Sequence, residues 1–183
     1  MIIYIAFLRG INVGGKNLIK MAELKKLFES LGLIDVKTYI QSGNIVFKSN
    51  ESEDYLIERM EKEIEKAFGF YVPVVLRSSA ELDCLLKNCP FSVEEISKAE
   101  NASQVESLYA ALLPKAPLEV RKDQLLVYQS KDELCEMIGR DVYLLFYNSI
   151  RNSKLANHLT KLDPKVTVRN FKTINKVLDL TKS

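Results

Sequence analysis

The sequence has no tryptophan, one histidine and three cysteines among its 183 residues. One histidine cannot form a multi-histidine metal site, and Cys84, Cys89 and Cys135 lack the paired spacing of zinc ligands. An odd cysteine count without a secretory leader is typical of reduced thiols, so we expect a cytoplasmic protein without a metal site. No apolar stretch approaches the roughly 20 residues that span a bilayer, so no membrane association is expected.

Charge is nearly balanced, with 26 basic and 24 acidic residues, whereas nucleic-acid-binding proteins are usually more basic. Its distribution is uneven. Residues 51–67 carry seven acids and three bases, and residues 151–183 carry eight bases and two acids. The basic C-terminal segment either attracts an anionic partner or forms an ordinary solvated surface.

Hydrophobic periodicity predicts a first unit with the order βαββαβ. Residues 2–8 form an apolar strand, and the apolar residues between Met21 and Leu31 have helical spacing. Two alternating strands then flank a turn at Ser42-Gly43. The predicted elements after the first helix are strands 35–41 and 44–48, a helix capped by Asn50, and an edge strand at 70–77 containing Pro73.

A second set of elements follows in a similar order. It comprises strand 105–113, helix 117–129, strands 132–138 and 141–147, helix 153–162, strand 165–168 and a last helix. We therefore expect an α+β chain of two tandem ferredoxin-like units, with antiparallel sheets and helices packed on one face. The predicted limits are 1–78 for the first unit, 79–104 for a mostly helical connector, and 105–183 for the second unit.

This topology predicts that polar residues gather at one end of each sheet. In a βαββαβ unit the first two strands are parallel, so the loop after the first strand meets the hairpin after the second. The predicted ligand-binding residues of the first unit, called the loop cluster, are Arg9, Asn12, Gly14, Gly15, Lys16, Gln41, Ser42 and Asn44. Those of the second unit, called the C-terminal cluster, are Ser153, Lys154, Arg169, Asn170 and Thr173.

The C-terminal cluster contains two predicted helix starts, at Ser153 and Asn170. Exposed N–H groups at a helix start, with Lys154 and Arg169 beside them, form a good anion site. The alternative is that these residues are only helix caps and turn residues.

The segment Gly10–Asn17 reads GINVGGKN and nearly matches the phosphate-binding pattern G-x-x-x-x-G-K-[ST]. Asn17 replaces the hydroxyl residue that would contact magnesium, and the predicted sheet is antiparallel rather than parallel. We interpret the segment as a glycine-rich loop that contacts an anion through its backbone and Lys16. Alternatively, the glycines only supply the positive φ angles of a turn.

Two further functions, RNA binding by the sheet and catalysis by a histidine, have weaker support. Residues 3–8 resemble the first strand motif of RNA-recognition modules, in which sheet aromatics such as Tyr4 stack on bases, but the partner motif is missing from residues 44–47. The only histidine, His158, lies beside Leu155 and Leu159 and is expected to be structural. The remaining polar residues suit electrostatic stabilisation of an anion, and they indicate no particular cofactor.

The segments YIAFLRGINVGGKN, KMAELKKLFESLG and TYIQSGNIVF resemble a bacterial family known as domain of unknown function 1697, as do NSIRNSKL and TVRNFKTINKVLDL. The resemblance implies a two-unit α/β fold of ferredoxin-like character and no particular activity. One departure lies at residues 148–152, where the family usually has a glycine-containing turn. The matching positions are the thirteen cluster residues together with Gly10, Gly43 and Leu155.

Three functions remain open from the sequence. The leading hypothesis is a binding protein for a phosphate-bearing or other anionic ligand, either nucleotide-like or RNA. In it Lys16 and Arg169 contact the anion, and Asn12, Gln41, Asn44 and Asn170 orient it. The second is a group-transfer enzyme that uses the glycine-rich loop as an anion cradle. The third is a protein-interaction module whose polar loops are structural.

Overall fold

A computed structural model describes residues 1–103 and 105–182, and it confirms the predicted α+β class with two four-stranded antiparallel sheets. The chain forms two compact units. One comprises Met1–Asp83 and the chain end from Asn175, and the other comprises Cys84–Ile174. Among the described residues, no helix is long and apolar enough to cross a bilayer. Gln104 and Ser183, which fall within the predicted domain ranges, lie outside the described residues.

The first unit has the predicted succession of elements. They are β1 (Ile2–Leu8), α1 (Met21–Ser30), β2 (Ile34–Tyr39), β3 (Asn44–Ser49), α2 (Glu53–Phe68) and β4 (Val74–Ser78). The strand order is β2-β3-β1-β4, so β4 is an edge strand, as Pro73 just before it predicted. The next two helices are α3 (Ser79–Lys87) and α4 (Val93–Ala102).

The core of the first unit is built on alternate residues of β1, because successive strand side chains point to opposite faces. Tyr4 is buried there with Phe47 of β3, and their rings stack at 5.9 Å between centroids. Phe28 of α1 meets Phe47 edge-on at 6.0 Å. Since Tyr4 lies in this core, it cannot serve as an open platform for stacking bases, and the RNA-module interpretation loses its main residue.

The second unit repeats the same order of elements. They are β5 (Leu108–Leu112), α5 (Glu119–Leu126), β6 (Glu133–Ile138), β7 (Asp141–Phe146), α6 (Lys154–Asn157) and β8 (Thr167–Asn170). The last helix, α7 (Phe171–Leu180), begins in this unit, but its residues from Asn175 onward belong to the first. The strand order is β6-β7-β5-β8, which corresponds strand for strand to that of the first unit.

Several predicted boundaries were wrong, among them the start of the strand predicted at 70–77, which begins at Val74. Helix α2 starts after Ser52 rather than Asn50, because the Ser49 hydroxyl accepts the Glu51 N–H in a preceding turn. The predicted helix 153–162 is broken at His158, where the backbone leaves helical geometry and a 3₁₀ turn follows. The last strand lies two residues later than predicted, at Thr167–Asn170, which makes Arg169 a strand residue.

Tyr143 of β7 is a buried tyrosine whose hydroxyl donates a hydrogen bond to the Leu85 carbonyl at 2.9 Å. Burial, reinforced by the negative charges of Asp141, Cys89 and Cys84, raises the pKa of Tyr143 to about 12. The folded chain therefore retains this proton at a pH where the unfolded chain has lost it.

We expect this tyrosine to make the protein sensitive to alkali. Because the pKa of Tyr143 is higher in the folded chain, its protonated hydroxyl contributes fully to stability below the unfolded-state pKa of about 10. This contribution is lost as the pH rises toward 12. Tyr143→Phe should reduce the loss of unfolding free energy between pH 9 and 11 by about 1 kcal/mol. Urea unfolding at several pH values measures this. The control Tyr55→Phe, at an exposed position, should lose stability as the wild type does. An unchanged pH profile in Tyr143→Phe would contradict the assignment.

Candidate functional site

The glycine-rich loop after β1 is a small hairpin. Gly14 and Gly15 both have positive φ, +59° and +73°, as a two-residue primed turn requires. Val13 and Lys16 form a β-bridge across this turn, and the Lys16 N–H donates to the Val13 carbonyl at 3.1 Å. A phosphate cradle needs converging, unpaired N–H groups. This loop uses the Lys16 N–H internally and leaves the lysine side chain exposed at its tip.

Asn12 fastens this hairpin to the rest of the unit. Its Nδ2 donates to the Gln41 carbonyl at 2.8 Å and to the Ile19 carbonyl at 3.0 Å, and its Oδ1 accepts the Ile19 N–H at 2.9 Å. The backbone of Asn12 has φ +53°, a left-handed conformation that asparagine tolerates. The predicted neighbours Asn12 and Gln41 thus lie together, and the Asn12 amide group holds the site in shape.

The β2–β3 turn brings the other loop-cluster residues to the same end of the sheet. Asn44 is fully buried, and its Nδ2 donates to the Tyr39 carbonyl at 2.9 Å and to Ser42 Oγ at 3.0 Å. The Gly43 carbonyl accepts the Leu8 N–H at 2.8 Å. At the end of β1, the Arg9 N–H donates to the Pro73 carbonyl at 3.0 Å. Asn44 therefore organises the turn from inside rather than facing a ligand.

An open groove of about 600 Å³ lies beside these residues, where the loop meets the first turn of α1. Polar Asn12 and Gln41 contribute to it, and so does the charged pair Lys20 and Glu23, whose side chains are 3.8 Å apart. Lys20 is the N-cap of α1 and makes no side-chain capping hydrogen bond. The other lining residues are Leu18, Ile19, Met21 and Ala22.

The α6 part of the C-terminal cluster already holds an anion from the chain itself. Ser153 is buried, caps α6 by accepting the Ala156 N–H at 2.9 Å, and donates its hydroxyl to Glu133 Oε2 at 2.7 Å. The Leu155 N–H also donates to Glu133 Oε2, at 3.3 Å. The Glu133 carboxylate therefore occupies the position that the sequence predicts for a ligand, while the Lys154 side chain is exposed.

The remaining part of the C-terminal cluster lies at β8. Asn170 caps α7, because its Oδ1 accepts the Thr173 N–H at 2.8 Å. Ser153 is bonded to Glu133 of β6, and β6 and β8 are opposite edges of a four-stranded sheet. Three strand spacings separate such edges by about 14 Å. The C-terminal cluster is thus two sites, each completing its own helix start.

Two arginines occupy matching positions in the two units. Arg77 of β4 lies in register with Ile5, and Arg169 of β8 lies in register with Ala110. Each donates to the carbonyl of the residue before it, at 2.7 Å in Arg77 and 2.9 Å in Arg169. Burial lowers the pKa of Arg169 to about 10, so it remains charged near neutral pH. Arg169 also donates to Thr167 Oγ1, which gives it a structural role in the strand.

Sequence reasoning missed two residues, one that lines the groove and one that is buried in β4. One is Lys20. Its signal in the sequence is a lysine just before the first helix, where a serine or aspartate would usually cap the helix. The other is Arg77. Its signal appears when the last strands of the two units are aligned, because VVLRS and TVRN each carry an arginine at the corresponding position.

The structure is a mixed α+β protein with two four-stranded antiparallel sheets, the first of which carries the loop cluster beside an open groove. The chain belongs to the family described as Protein of unknown function (DUF1697), whose model matches residues 1–143. This confirms the resemblance found in the N-terminal motifs. The C-terminal motifs after residue 143 lie outside the matched range.

The solved structures include a similar protein, a conserved bacterial protein from Streptococcus pneumoniae. It is 29% identical to this chain, and the similarity covers 98% of each chain with a TM-score of 0.72. No curated protein matches the sequence.

Proposed function

We propose that the chain binds a small ligand with a phosphate or other anionic group in the groove at the start of α1. The observation that carries this proposal is the groove itself, in which loop-cluster residues Asn12 and Gln41 lie beside the N-terminal turn of a ten-residue helix. Concave sites with a few converging polar groups are the usual places for small ligands.

The electrostatics of the groove favour an anion. The first N–H groups of a helix point out of its N-terminus, where the helix dipole also attracts negative charge. Lys20 adds a positive charge there and does not cap the helix with its side chain. Leu18, Met21 and Ala22 provide an apolar wall for the rest of the ligand. The burial of Tyr4 in the core also removes the residue on which the RNA-binding interpretation relied.

The proposal rests on the first unit alone. The anion position at α6 is filled by Glu133, and ligand contacts by Lys16, Arg169 and the other cluster residues stay predictions. We also infer that the predicted segments 1–78 and 105–183 are each ferredoxin-like, although the residues from Asn175 onward belong to the first compact unit. The βαββαβ order and the matching strand orders of the two sheets support this inference.

A substitution that places a negatively charged side chain in the groove tests the proposal. We expect Ala22→Glu to weaken phosphate binding about tenfold, because its carboxylate would repel the ligand from the α1 N-terminus. Glu23→Gln should strengthen binding about threefold, since it removes a competing carboxylate. The measurement is an amide chemical-shift titration of Met21, Ala22 and Gln41 with inorganic phosphate, ribose 5-phosphate and adenosine 5′-monophosphate.

The matched control is Ala22→Gln, which has nearly the same size without the charge. Ala22 is exposed, and an acid in the first turn favours a helix, so all variants should fold. Equal affinity in Ala22→Glu and Ala22→Gln would contradict the proposed site. Absence of shifts with all three probes at about 10 mM would contradict anion binding altogether.

A further inference from the structure

A second group of polar side chains lies within the second unit. The rings of Tyr128 and His158 stack in parallel, with centroids 3.8 Å apart and planes inclined by 10°. Lys161 Nζ donates to Tyr128 Oη at 2.9 Å and lies 4.9 Å from the centre of the Tyr128 ring. This group, called the His158 cluster, holds the only imidazole of the chain in one orientation.

The hydrogen bond of His158 fixes its tautomer. Nδ1 lies 2.7 Å from the Lys154 carbonyl oxygen. A carbonyl oxygen only accepts, so Nδ1 carries the proton and the neutral ring keeps its lone pair on Nε2. The ring is half-buried at the break between α6 and the 3₁₀ turn Leu159–Lys161. His158 therefore presents a nucleophilic nitrogen whose ring is held by stacking and by a backbone bond.

The surrounding charges favour transfer of an anionic group to Nε2. The Lys154 carbonyl, in the first residue of α6, accepts the Nδ1 proton and would stabilise the positive charge that develops on the ring during attack. Lys161, held beside the stacked rings through Tyr128, supplies a cation for the incoming anion. Activation of a nucleophile by such fixed groups is the usual basis of covalent transfer.

We propose that His158 Nε2 is a phosphoryl-acceptor site that reacts with small activated donors of the phosphoramidate or acyl phosphate class. The Nε2 lone pair forms a P–N bond while the donor's bond from phosphorus to its leaving group breaks. The leaving group departs with that electron pair, as ammonia or as a carboxylate. The ring keeps its Nδ1 proton and becomes a phosphorylated imidazolium hydrogen-bonded to the Lys154 carbonyl, and the anionic phosphoryl group pairs with Lys161.

The test uses the full chain with phosphoramidate in one arm and acetyl phosphate in the other. Intact-mass and fragment spectra should show one acid-labile phosphoryl group at His158, the only histidine. We expect the folded chain to react about tenfold faster than the chain in concentrated urea, because the site is preorganised. Reaction in only one arm identifies the donor class.

Lys161→Met should lower the rate in the folded chain to that of the unfolded one. Lys115→Met, which removes an exposed lysine elsewhere in the unit, should leave the rate unchanged. Equal rates in the folded and unfolded chain would overturn the proposal, because a histidine that merely caps α6 would react no faster than a free imidazole. Unchanged reactivity of Lys161→Met would overturn it as well.

Discussion

Gly43→Ala is expected to lower the free energy of unfolding by about 2–4 kcal/mol. A Cβ at this position would lie 2.8 Å from Leu8 Cβ and 2.7 Å from Ile11 Cδ1. The Ile11 atom is the end of a flexible side chain, but Leu8 Cβ is fixed to β1, so the β2–β3 turn must shift. That shift would also strain the 2.8 Å bond from the Leu8 N–H to the Gly43 carbonyl.

Gly32→Ala is the matched control. Gly32 has φ +78°, almost the same as the +79° of Gly43, but a Cβ there would meet nothing within 4 Å. It should cost only the left-handed strain of about 1 kcal/mol. Urea unfolding of both variants separates strain from steric clash. If the two variants lost similar free energies of unfolding, the close contact between Leu8 and a Cβ at position 43 would not be destabilising.

Asn12→Asp is expected to have the second largest effect, about 3 kcal/mol at neutral pH. The change keeps the bond from the Ile19 N–H, but it removes both donors and points a carboxylate oxygen at the carbonyls of Ile19 and Gln41. These carbonyls would raise the pKa of Asp at position 12 in the folded state. The penalty should therefore be smaller below pH 4 and grow as pH rises, because only the protonated acid can donate, and it replaces one of the two lost hydrogen bonds.

The control for this variant is Asn17→Asp in the same loop. Asn17 has a similar left-handed φ of +51°, but it is exposed, and its side chain donates one hydrogen bond, to the Gly10 carbonyl at 3.1 Å. Its replacement should cost less than about 1 kcal/mol and depend little on pH. Thermal or urea unfolding at pH 4 and pH 7 distinguishes the two. A pH-independent loss in Asn12→Asp would contradict the role assigned to its two donors.

Much of the architecture could be predicted from the sequence because strand and helix periodicities are strong where a core is built. Alternation on β1 and helical spacing in α1 and α2 identified those elements. The prediction was weaker where local side-chain bonds compete with periodicity. Ser49 holds a turn that delays α2, and His158 bonds to Lys154 and ends a helix that the leucine spacing would continue.

The candidate site was predictable only in part, for a related physical reason. Topology correctly places Asn12 beside Gln41, because it follows from strand direction alone. Topology cannot reveal which polar groups already form hydrogen bonds within the protein, as the Asn44 amide does inside the β2–β3 turn. It also cannot reveal that a glutamate 20 residues before Ser153 reaches the start of α6.

The Glu133 carboxylate competes with any free anion for the start of α6 in the second unit. A covalently attached carboxylate has an effective concentration on the order of millimolar or higher at the site it reaches. Free phosphate at lower concentration cannot displace it from Ser153 and the Leu155 N–H. In the second unit a fixed intramolecular anion thus neutralises the start of α6, and the binding proposed at the start of α1 has no counterpart there.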